Sequence, residues 1–375
     1  MNLVLLIPTF QRPSTLYWSL ESVIRQRFPL QGFQKKIYIV NNDLNSSFSV
    51  NETVQKVLQN NPNHEFDHIE IIQGNPNLYL IHNWFDNLKK FTANGDIAII
   101  HGDDDIMLPY TLFFRYKAAL ASDKFIFVAN SMWSSHFIKS RNGIYIDLIK
   151  NPYQTGKSFE YNASNPKDLV DLPIPFISAY TYKVSNHFWA LFQQVIDWCD
   201  EIPFEPKIRY PFVPYFIGLA AHNLNMLGIS QQNIVIRGQL FDLRYLLPPK
   251  TVTEYANGGI TLLTGLVILN NHTLKNDPDF ELIRLNHRRT TLQYIFQSLF
   301  RRNGLTINDL KLLYEMSGAQ FELKEFTIPV IIKNLRHLLD NLLFTLNIKK
   351  WISGFGKETS YEAFWTNWDK SNLLR

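Results

Sequence analysis

Cysteine is almost absent from the sequence, since Cys199 is the one thiol among 375 residues. A single cysteine excludes an intramolecular disulfide and a cysteine-ligated zinc cluster, and it is typical of a reducing compartment. Long apolar runs are also lacking, because a stretch such as 260–269 falls well short of the ~20 residues that a membrane-spanning helix needs. No signal-peptide pattern precedes Pro8, so we expect a cytoplasmic protein.

Glycine-rich phosphate loops of the dinucleotide and Walker types are absent, which excludes the commonest oxidoreductases and ATPases. The formal net charge is only +4, so we expect no nucleic-acid partner. The histidines lack the spacing of a zinc site. Apolar residues make up 46% and charged residues 19% of the chain, as in a folded globular protein.

Apolar runs alternate with segments of helical period through the first third of the chain, which is typical of an α/β sheet flanked by helices. Strands are predicted at 2–7, 36–40, 69–73, 97–100 and 125–129, with helices between them. Further helices are predicted near 185–198 and 215–227, an irregular segment at 131–177, and mostly helix at 261–352.

Three consecutive acids, Asp103 to Asp105, follow the predicted strand at 97–100. In open α/β sheets, ligands bind beyond the carboxyl ends of the strands. Mutual repulsion of three carboxylates requires full solvation or a compensating positive charge, and Mg²⁺ or Mn²⁺ would supply that charge because both prefer carboxylate oxygens. The alternative is a solvated turn in which Asp105 or its neighbour caps the helix that begins near Pro109.

Four segments of the first third belong together by their order in the chain: 5–13 (LLIPTFQRP), 38–43 (YIVNND), Asn83-Trp84 and 95–109 (GDIAIIHGDDDIMLP). In this order they resemble the motifs of glycosyltransferase family 2. The resemblance covers roughly the first 110 residues and is strong because the pieces occur together and in order. It implies a GT-A nucleotide-sugar-binding fold, a Rossmann-like mixed sheet flanked by helices. The helical pattern at 261–352 adds a mostly helical C-terminal extension to this expectation.

The resemblance implies that residues of several loops bind the donor: Pro8, Thr9, Phe10, Arg12, Asn42, Asp43, Asn83, Asp103 and Arg237. The first three would border the base, and Phe10 would offer a ring face. Asn41-Asn42 stands where the family usually has an acidic pair. The base-reading carboxylate is therefore either displaced to Asp43 or replaced by an amide, which leaves the nucleotide open, with UDP favoured.

For the metal, the resemblance implies Mn²⁺ or Mg²⁺ on the three aspartates. Counting back from Pro109 places the metal ligand at Asp104 and a ribose or phosphate contact at Asp103, with Asp105 as the alternative ligand. Gly102 then stands where the first acid of the family's Asp-any-Asp pattern falls, unless the working pair is Asp103 with Asp105.

An inverting transferase needs a general base that takes the proton of the acceptor hydroxyl. Family members usually place this acid just before a helix in the second half, but 209–215 contains none. Glu205 is the first candidate, followed by Glu201 and Asp200. The alternative for each is a surface or helix-end carboxylate.

The predicted domains are a GT-A domain at 1–255, with a nucleotide-sugar half at 1–130 and an acceptor half at 131–255, and a helical region at 256–375. Within the helical region, 328–352 has the pattern of an amphipathic helix with a basic face. It either packs on the catalytic domain or binds peripherally to an anionic membrane.

The resemblance implies a metal-dependent, inverting glycosyltransferase. It would move a sugar from a nucleotide-diphosphate donor to a glycan or lipid-linked acceptor in surface polysaccharide synthesis. The missing acid in 209–215 motivates an alternative, a catalytically inactive carbohydrate- or nucleotide-binding protein on the same fold. A third hypothesis, a nucleotidyltransferase, ranks last. It would need a glycine-rich basic loop after the first strand, and residues 11–13 contain only one cation.

Overall fold

The computed structural model describes residues 1–10, 12–30, 32–43, 49–75, 80–107, 110–140, 143–149, 177–201, 227–239 and 359–360, with single positions between 213 and 221. The chain divides into two compact units. The first comprises Met1–Gln194, Val213–Leu246 and Thr359–Arg375, and the second comprises Val195–Phe212 and Leu247–Glu358. Of the second unit only 195–201 is described.

Four parallel strands form one part of the sheet, in the order β3-β2-β1-β4. They are β1 (Leu3–Thr9), β2 (Lys35–Asn41), β3 (His68–Gln73) and β4 (Ile97–Ile100). The helices between them are α1 (Pro13–Ile24), α2 (Val50–Asn60) and α3 (Leu80–Phe91). This order places β1 between β2 and β4, so the loops that follow these three strands meet at one edge of the sheet.

The remaining strands continue the sheet beyond β4. They are β5 (Ile126–Ser140), β6 (Gly143–Ile149), β7 (Tyr180–Lys183), β8 (Leu227–Gln239) and β9 (Thr359–Ser360), with helices α4 (Thr111–Leu120) and α5 (Asn186–Asp200). Strand β7 runs antiparallel to both β4 and β5, whereas β8 runs parallel to β5. The predicted α/β class, with a Rossmann-like mixed sheet flanked by helices, is confirmed.

The core forms because β1 is apolar along almost its whole length and is buried on both faces, as an inner parallel strand should be. The predicted stripe of α1, consisting of Leu16, Leu20, Val23 and Ile24, is fully buried against it. Each of these side chains contributes roughly 1.5–3 kcal/mol through burial. The hydrophobic periodicity therefore predicted the buried face of α1 correctly.

The predicted irregular segment at 131–177 is wrong in its first part, because β5 extends to Ser140 and pairs with β6 as an antiparallel hairpin. The sequence holds a turn signal in Asn142-Gly143, just before the alternating stretch 144–149, although in the hairpin Gly143 already pairs with Ser140. The predicted helix at 215–227 overlaps the start of β8 at Leu227. The domain boundary at 255 and the amphipathic segment at 328–352 lie outside the described residues and stay predictions.

Arg115, on α4, is the largest fully buried side chain among the residues that the structure describes. Its guanidinium donates to Thr181 Oγ1 at 2.6 Å and to the carbonyl oxygens of Ser178, at 2.7 Å, and Tyr180. Burial lowers the pKa of Arg115 to about 9, which leaves it charged at neutral pH. Arg115 thereby fixes the backbone that leads into β7, next to the loop that follows β4.

No helix within the described residues combines the length and the apolar character that crossing a bilayer requires.

Replacing Arg115 with Met should lower the free energy of unfolding by about 3 kcal/mol, because two carbonyl oxygens and a hydroxyl lose their buried charged donor. Lys117→Met on the exposed face of the same helix is the matched control and should change stability by less than about 0.5 kcal/mol. Urea unfolding followed by circular dichroism measures both. Equal effects of the two substitutions would contradict this role of Arg115.

Candidate nucleotide and metal site

Three loops meet at the carboxyl edge of β1, β2 and β4. The backbone N–H of Asn42, just after β2, donates to the carbonyl of Thr9 at 3.0 Å, and the N–H of His101, just after β4, donates to the carbonyl of Leu6 at 2.8 Å. The sheet therefore brings together the segments that the sequence marked out at 8–13, 41–43 and 102–105.

Asp103 is a buried carboxylate that joins the β1 and β4 loops. Thr9 Oγ1 donates to its Oδ2 at 2.8 Å, and Arg12 Nη1 lies 3.3 Å from its Oδ1. Burial raises the pKa of Asp103 to about 7; the Arg12 charge opposes this rise, and the Asp104 charge adds to it. The ionised form therefore depends on a cation close by.

Arg12 supplies positive charge to two neighbouring carboxylates. The same Nη1 atom that contacts Asp103 lies 3.1 Å from Asp104 Oδ2. The side chain of Asp104 is 28% exposed and that of Arg12 is 40% exposed, so this part of the site is open to solvent. The three aspartates were expected to need positive charge from a metal. Arg12 supplies part of that charge from the chain itself.

The carboxylate of Asp105 is engaged by a different partner. Asp105 is buried, and its Oδ2 accepts a short hydrogen bond from Ser178 Oγ, which in turn accepts the N–H of Gly102 at 2.8 Å. The backbone carbonyl of Asp105 is 3.1 Å from His101 Nε2. Burial, helped by the charge of Arg115, lowers the pKa of His101 to about 3, so the imidazole is neutral and donates this hydrogen bond.

Gly102 has a steric reason to stand where the family pattern has its first acid. A Cβ at this position would lie 2.9 Å from Asp105 Oδ2 and 3.1 Å from Asp104 Oδ1. Both distances are tighter than ordinary van der Waals contacts. A side chain at 102 would therefore displace the carboxylates of Asp105 and Asp104.

A polar stripe on α1, formed by Ser19 and Ser22, holds the backbone that follows β4, and sequence reasoning missed it. Ser19 Oγ donates to the carbonyl of Gly102 at 2.9 Å, and Ser22 Oγ accepts the N–H of Met107 at 3.0 Å. Gln26, two residues beyond the end of α1, accepts the N–H of Leu112 at 3.2 Å through its Oε1. The available signal was the spacing of Ser19 and Ser22, which places two uncharged polar residues on the same side of the helix.

On the β2 side, the predicted base-reading residues lie beside an asparagine on α3. Asn83 Nδ2 donates to Asn42 Oδ1 in a short hydrogen bond, and both side chains are buried. Asp43 is also buried, whereas Phe10 is 51% exposed, as a ring that is to stack on a ligand should be. Pro8 is buried within β1.

Nothing that the structure describes tests the roles of the four other predicted site residues. Asp200, the last residue of α5, and Glu201 after it are exposed and belong to the second unit. Glu205 lies outside the described residues, and the backbone of Arg237 lies in β8. The roles of all four stay predictions.

The acids fit a divalent ion held by two carboxylates. Asp103 and Asp104 present oxygens to one shared cationic nitrogen, and Mg²⁺ typically uses one or two protein carboxylates together with water and substrate phosphate. Among the described residues no group of three acid, histidine or cysteine side chains converges as a metal cage. A site at this edge would therefore need ligands from a bound nucleotide.

No protein-family model matches the chain, and no curated protein matches its sequence. Several solved glycosyltransferase structures are similar to it. TarS of S. aureus (residues 1–349) is 14% identical, over 85% of this chain and 87% of that one, with a TM-score of 0.42. The mannosyltransferase PcManGT of Pyrobaculum calidifontis, solved with GDP-Man and Mn²⁺, is 10% identical, over 94% and 87%, with a TM-score of 0.47.

A third similar structure is GalNAc-T7 with UDP, GalNAc and Mn²⁺. It is 9% identical, over 85% of this chain and 55% of that one, with a TM-score of 0.40. At these identities and TM-scores, the likeness by itself assigns no function to this chain.

Replacing Arg12 with Gln should destabilise the metal-free protein by about 1 kcal/mol at pH 8 and by clearly less at pH 5.5. The sign follows from the raised pKa of Asp103, about 7: its carboxylate is ionised and needs the cation at pH 8, and it is protonated at pH 5.5. Thermal unfolding at both pH values in EDTA measures the difference.

Arg27→Gln is the matched control, because the Arg27–Glu65 pair at 3.8 Å is a surface pair on the same unit. Its effect should be small at both pH values. A loss of stability in Arg12→Gln that is the same at pH 5.5 and pH 8 would contradict the assigned dependence of Asp103 on Arg12.

Proposed function

We propose that the chain is a metal-dependent glycosyltransferase whose GT-A domain binds a nucleotide-diphosphate sugar, with a UDP-sugar favoured. The observation that carries the proposal is the shared contact of Asp103 and Asp104 with Arg12 at the carboxyl edge of the parallel strands. Ligands of open α/β sheets bind at this edge, and the resemblance of the first 110 residues to glycosyltransferase family 2 points to the same residues.

Asp103 and Asp104 would hold Mn²⁺ or Mg²⁺, which when bound would supply positive charge to the diphosphate leaving group. Thr9 keeps the Asp103 carboxylate in place through its hydroxyl. Arg12 carries a planar set of N–H donors that suits phosphate oxygens as well as carboxylates. Its partly exposed guanidinium would donate to the diphosphate.

We further propose inversion at the anomeric carbon. A carboxylate would remove the proton of the acceptor hydroxyl while the hydroxyl oxygen attacks from the face opposite the diphosphate. The sequence offers Glu205, Glu201 and Asp200 for this base, in that order. The acceptor would be a glycan or a lipid-linked saccharide in surface polysaccharide synthesis, and 328–352 would give peripheral membrane contact to a cytoplasmic enzyme.

Replacing Asp104 with Asn should abolish the metal dependence of donor binding. An amide oxygen is neutral and a weaker ligand for Mn²⁺, so we expect the affinity for the preferred donor with Mn²⁺ to fall tenfold or more. Calorimetry with UDP-, GDP-, CMP- and dTDP-sugars, with and without Mn²⁺, measures binding, and donor hydrolysis measures turnover.

Asp86→Asn on the exposed face of α3 is the matched control and should bind and hydrolyse the donor as the wild type does. Metal-dependent binding of one donor with slow hydrolysis supports the transferase. Binding without any hydrolysis, even with glycan acceptors, favours the alternative of a catalytically inactive nucleotide-binding protein. Absence of binding to every donor would overturn the assignment of the aspartates.

A further inference from the structure

The side-chain amide of Asn83 has only one orientation that satisfies its neighbours. Its Oδ1 lies 3.2 Å from the backbone N–H of Asn75, and its Nδ2 lies 3.3 Å from the backbone carbonyl of the same residue. A backbone N–H can only donate and a backbone carbonyl can only accept. The amide of Asn83 therefore cannot be turned over without placing like groups against each other.

This fixed amide determines how Asn42 is oriented. Asn83 Nδ2 also donates to Asn42 Oδ1, so the oxygen of Asn42 faces α3. The Nδ2 of Asn42 donates to no acceptor in the described part of the chain and is not among the buried polar atoms that lack a partner there. Asn42 is largely buried, at 8% exposure, but its Nδ2 is not fully enclosed, so this N–H is the donor that Asn42 can offer to a ligand at the carboxyl end of β2.

Gly74 leaves the room that this pair of amides needs. A Cβ there would collide with Asn42 Oδ1 and would lie 2.7 Å from Asn83 Nδ2. The N–H of Gly74 donates to the carbonyl of Asn41 at 2.8 Å, which holds the glycine against the end of β2. The backbone after β3 is thus shaped to accept the two asparagines.

We propose that Asn83 is a positioning residue that makes Asn42 present an N–H donor to the nucleotide base. The base must then turn an acceptor of its N3–C4 edge toward Asn42, either the O4 carbonyl of uracil or the unprotonated N3 of cytosine. A carboxylate, which the resemblance places in this turn in other family members, could only accept. This inference rests on the proposed function, because it concerns the base of the same donor.

A comparison of uracil with cytosine distinguishes a donor at position 42 from an acceptor there. At neighbouring positions of the base edge, uracil has an N–H donor and a carbonyl acceptor, whereas cytosine has a ring-nitrogen acceptor and an amino donor. Either of these two base positions could face Asn42. In both cases, replacing the N–H donor of Asn42 with an acceptor must reverse the preference between UDP and CDP. The wild-type preference then tells which base atom the amide contacts.

Two different substitutions should each replace the donor that faces the base with an acceptor. In Asn42→Asp, one carboxylate oxygen accepts from Asn83 and the other faces the base. In Asn83→Asp, the new carboxylate still accepts from the N–H of Asn75 but cannot donate to Asn42, so the Asn42 amide turns over and its oxygen faces the base. Each variant should move the ratio of the UDP and CDP dissociation constants about tenfold or more, in the same direction.

The experiment is calorimetric titration of UDP and CDP with Mn²⁺ into wild type, both variants and Asn94→Asp, an exposed asparagine that serves as the control. A reversed ratio in both variants, with the wild-type ratio kept in the control, supports the inference. An altered ratio in Asn42→Asp alone overturns the role of Asn83, and unchanged ratios in both overturn the base contact of Asn42.

If Asn83→Asp fails to fold, as judged by circular dichroism, the Asn42→Asp ratio decides: reversal supports the donor role of Asn42 and an unchanged ratio overturns it. Wild-type protein that binds neither these nucleotides nor GDP would overturn the proposed function as well. Binding with unchanged ratios would overturn only the inference drawn from the asparagines.

Discussion

The buried carboxylate of Asp103 is the group around which the site is built. Removing a charge from water costs several kcal/mol unless hydrogen bonds and an opposite charge compensate it. Thr9 and Arg12 provide that compensation from the loop after β1, so the loops after β1 and β4 are linked through one side chain. Three polar backbone groups of the second loop, the carbonyl and N–H of Gly102 and the N–H of Met107, bond to the polar stripe of α1 and to Ser178.

The carboxylates of the three aspartates differ in how available they are to a ligand. Asp105 is buried and bound to Ser178, and Asp103 is buried beside Thr9, whereas Asp104 keeps a partly exposed carboxylate. A ligand can therefore approach through Asp104 and Arg12 without disturbing the hydrogen bonds that hold the loop. Arg115 donates its hydrogen bonds to Thr181, Ser178 and Tyr180 and not to the aspartates. It still supports the same loop, because it fixes the backbone around Ser178.

The sequence predicted the structure best where hydrophobic periodicity and strand ends determine it. The strands β1 to β4, the buried face of α1 and the position of Asp103 to Asp105 beyond β4 all follow from apolar patterning. What it did not predict depends on contacts distant in the chain. The bond of Ser178 to Asp105, the burial of Arg115 and the orientation of Asn42 by Asn83 arise only when separate elements pack together, and each involves a residue whose local sequence is unremarkable. The β5–β6 hairpin is different, because Asn142-Gly143 was a local signal.

The most direct test of the account is pulsed electron paramagnetic resonance of Mn²⁺ added to the protein with UDP. If Asp103 and Asp104 hold the ion jointly with a diphosphate, the spectrum should show ³¹P coupling from the nucleotide, and the Mn²⁺ should be bound far more tightly with UDP present than without it. Mn²⁺ that keeps the spectrum of the nucleotide complex free in solution, whether or not the protein is present, would contradict the proposed site.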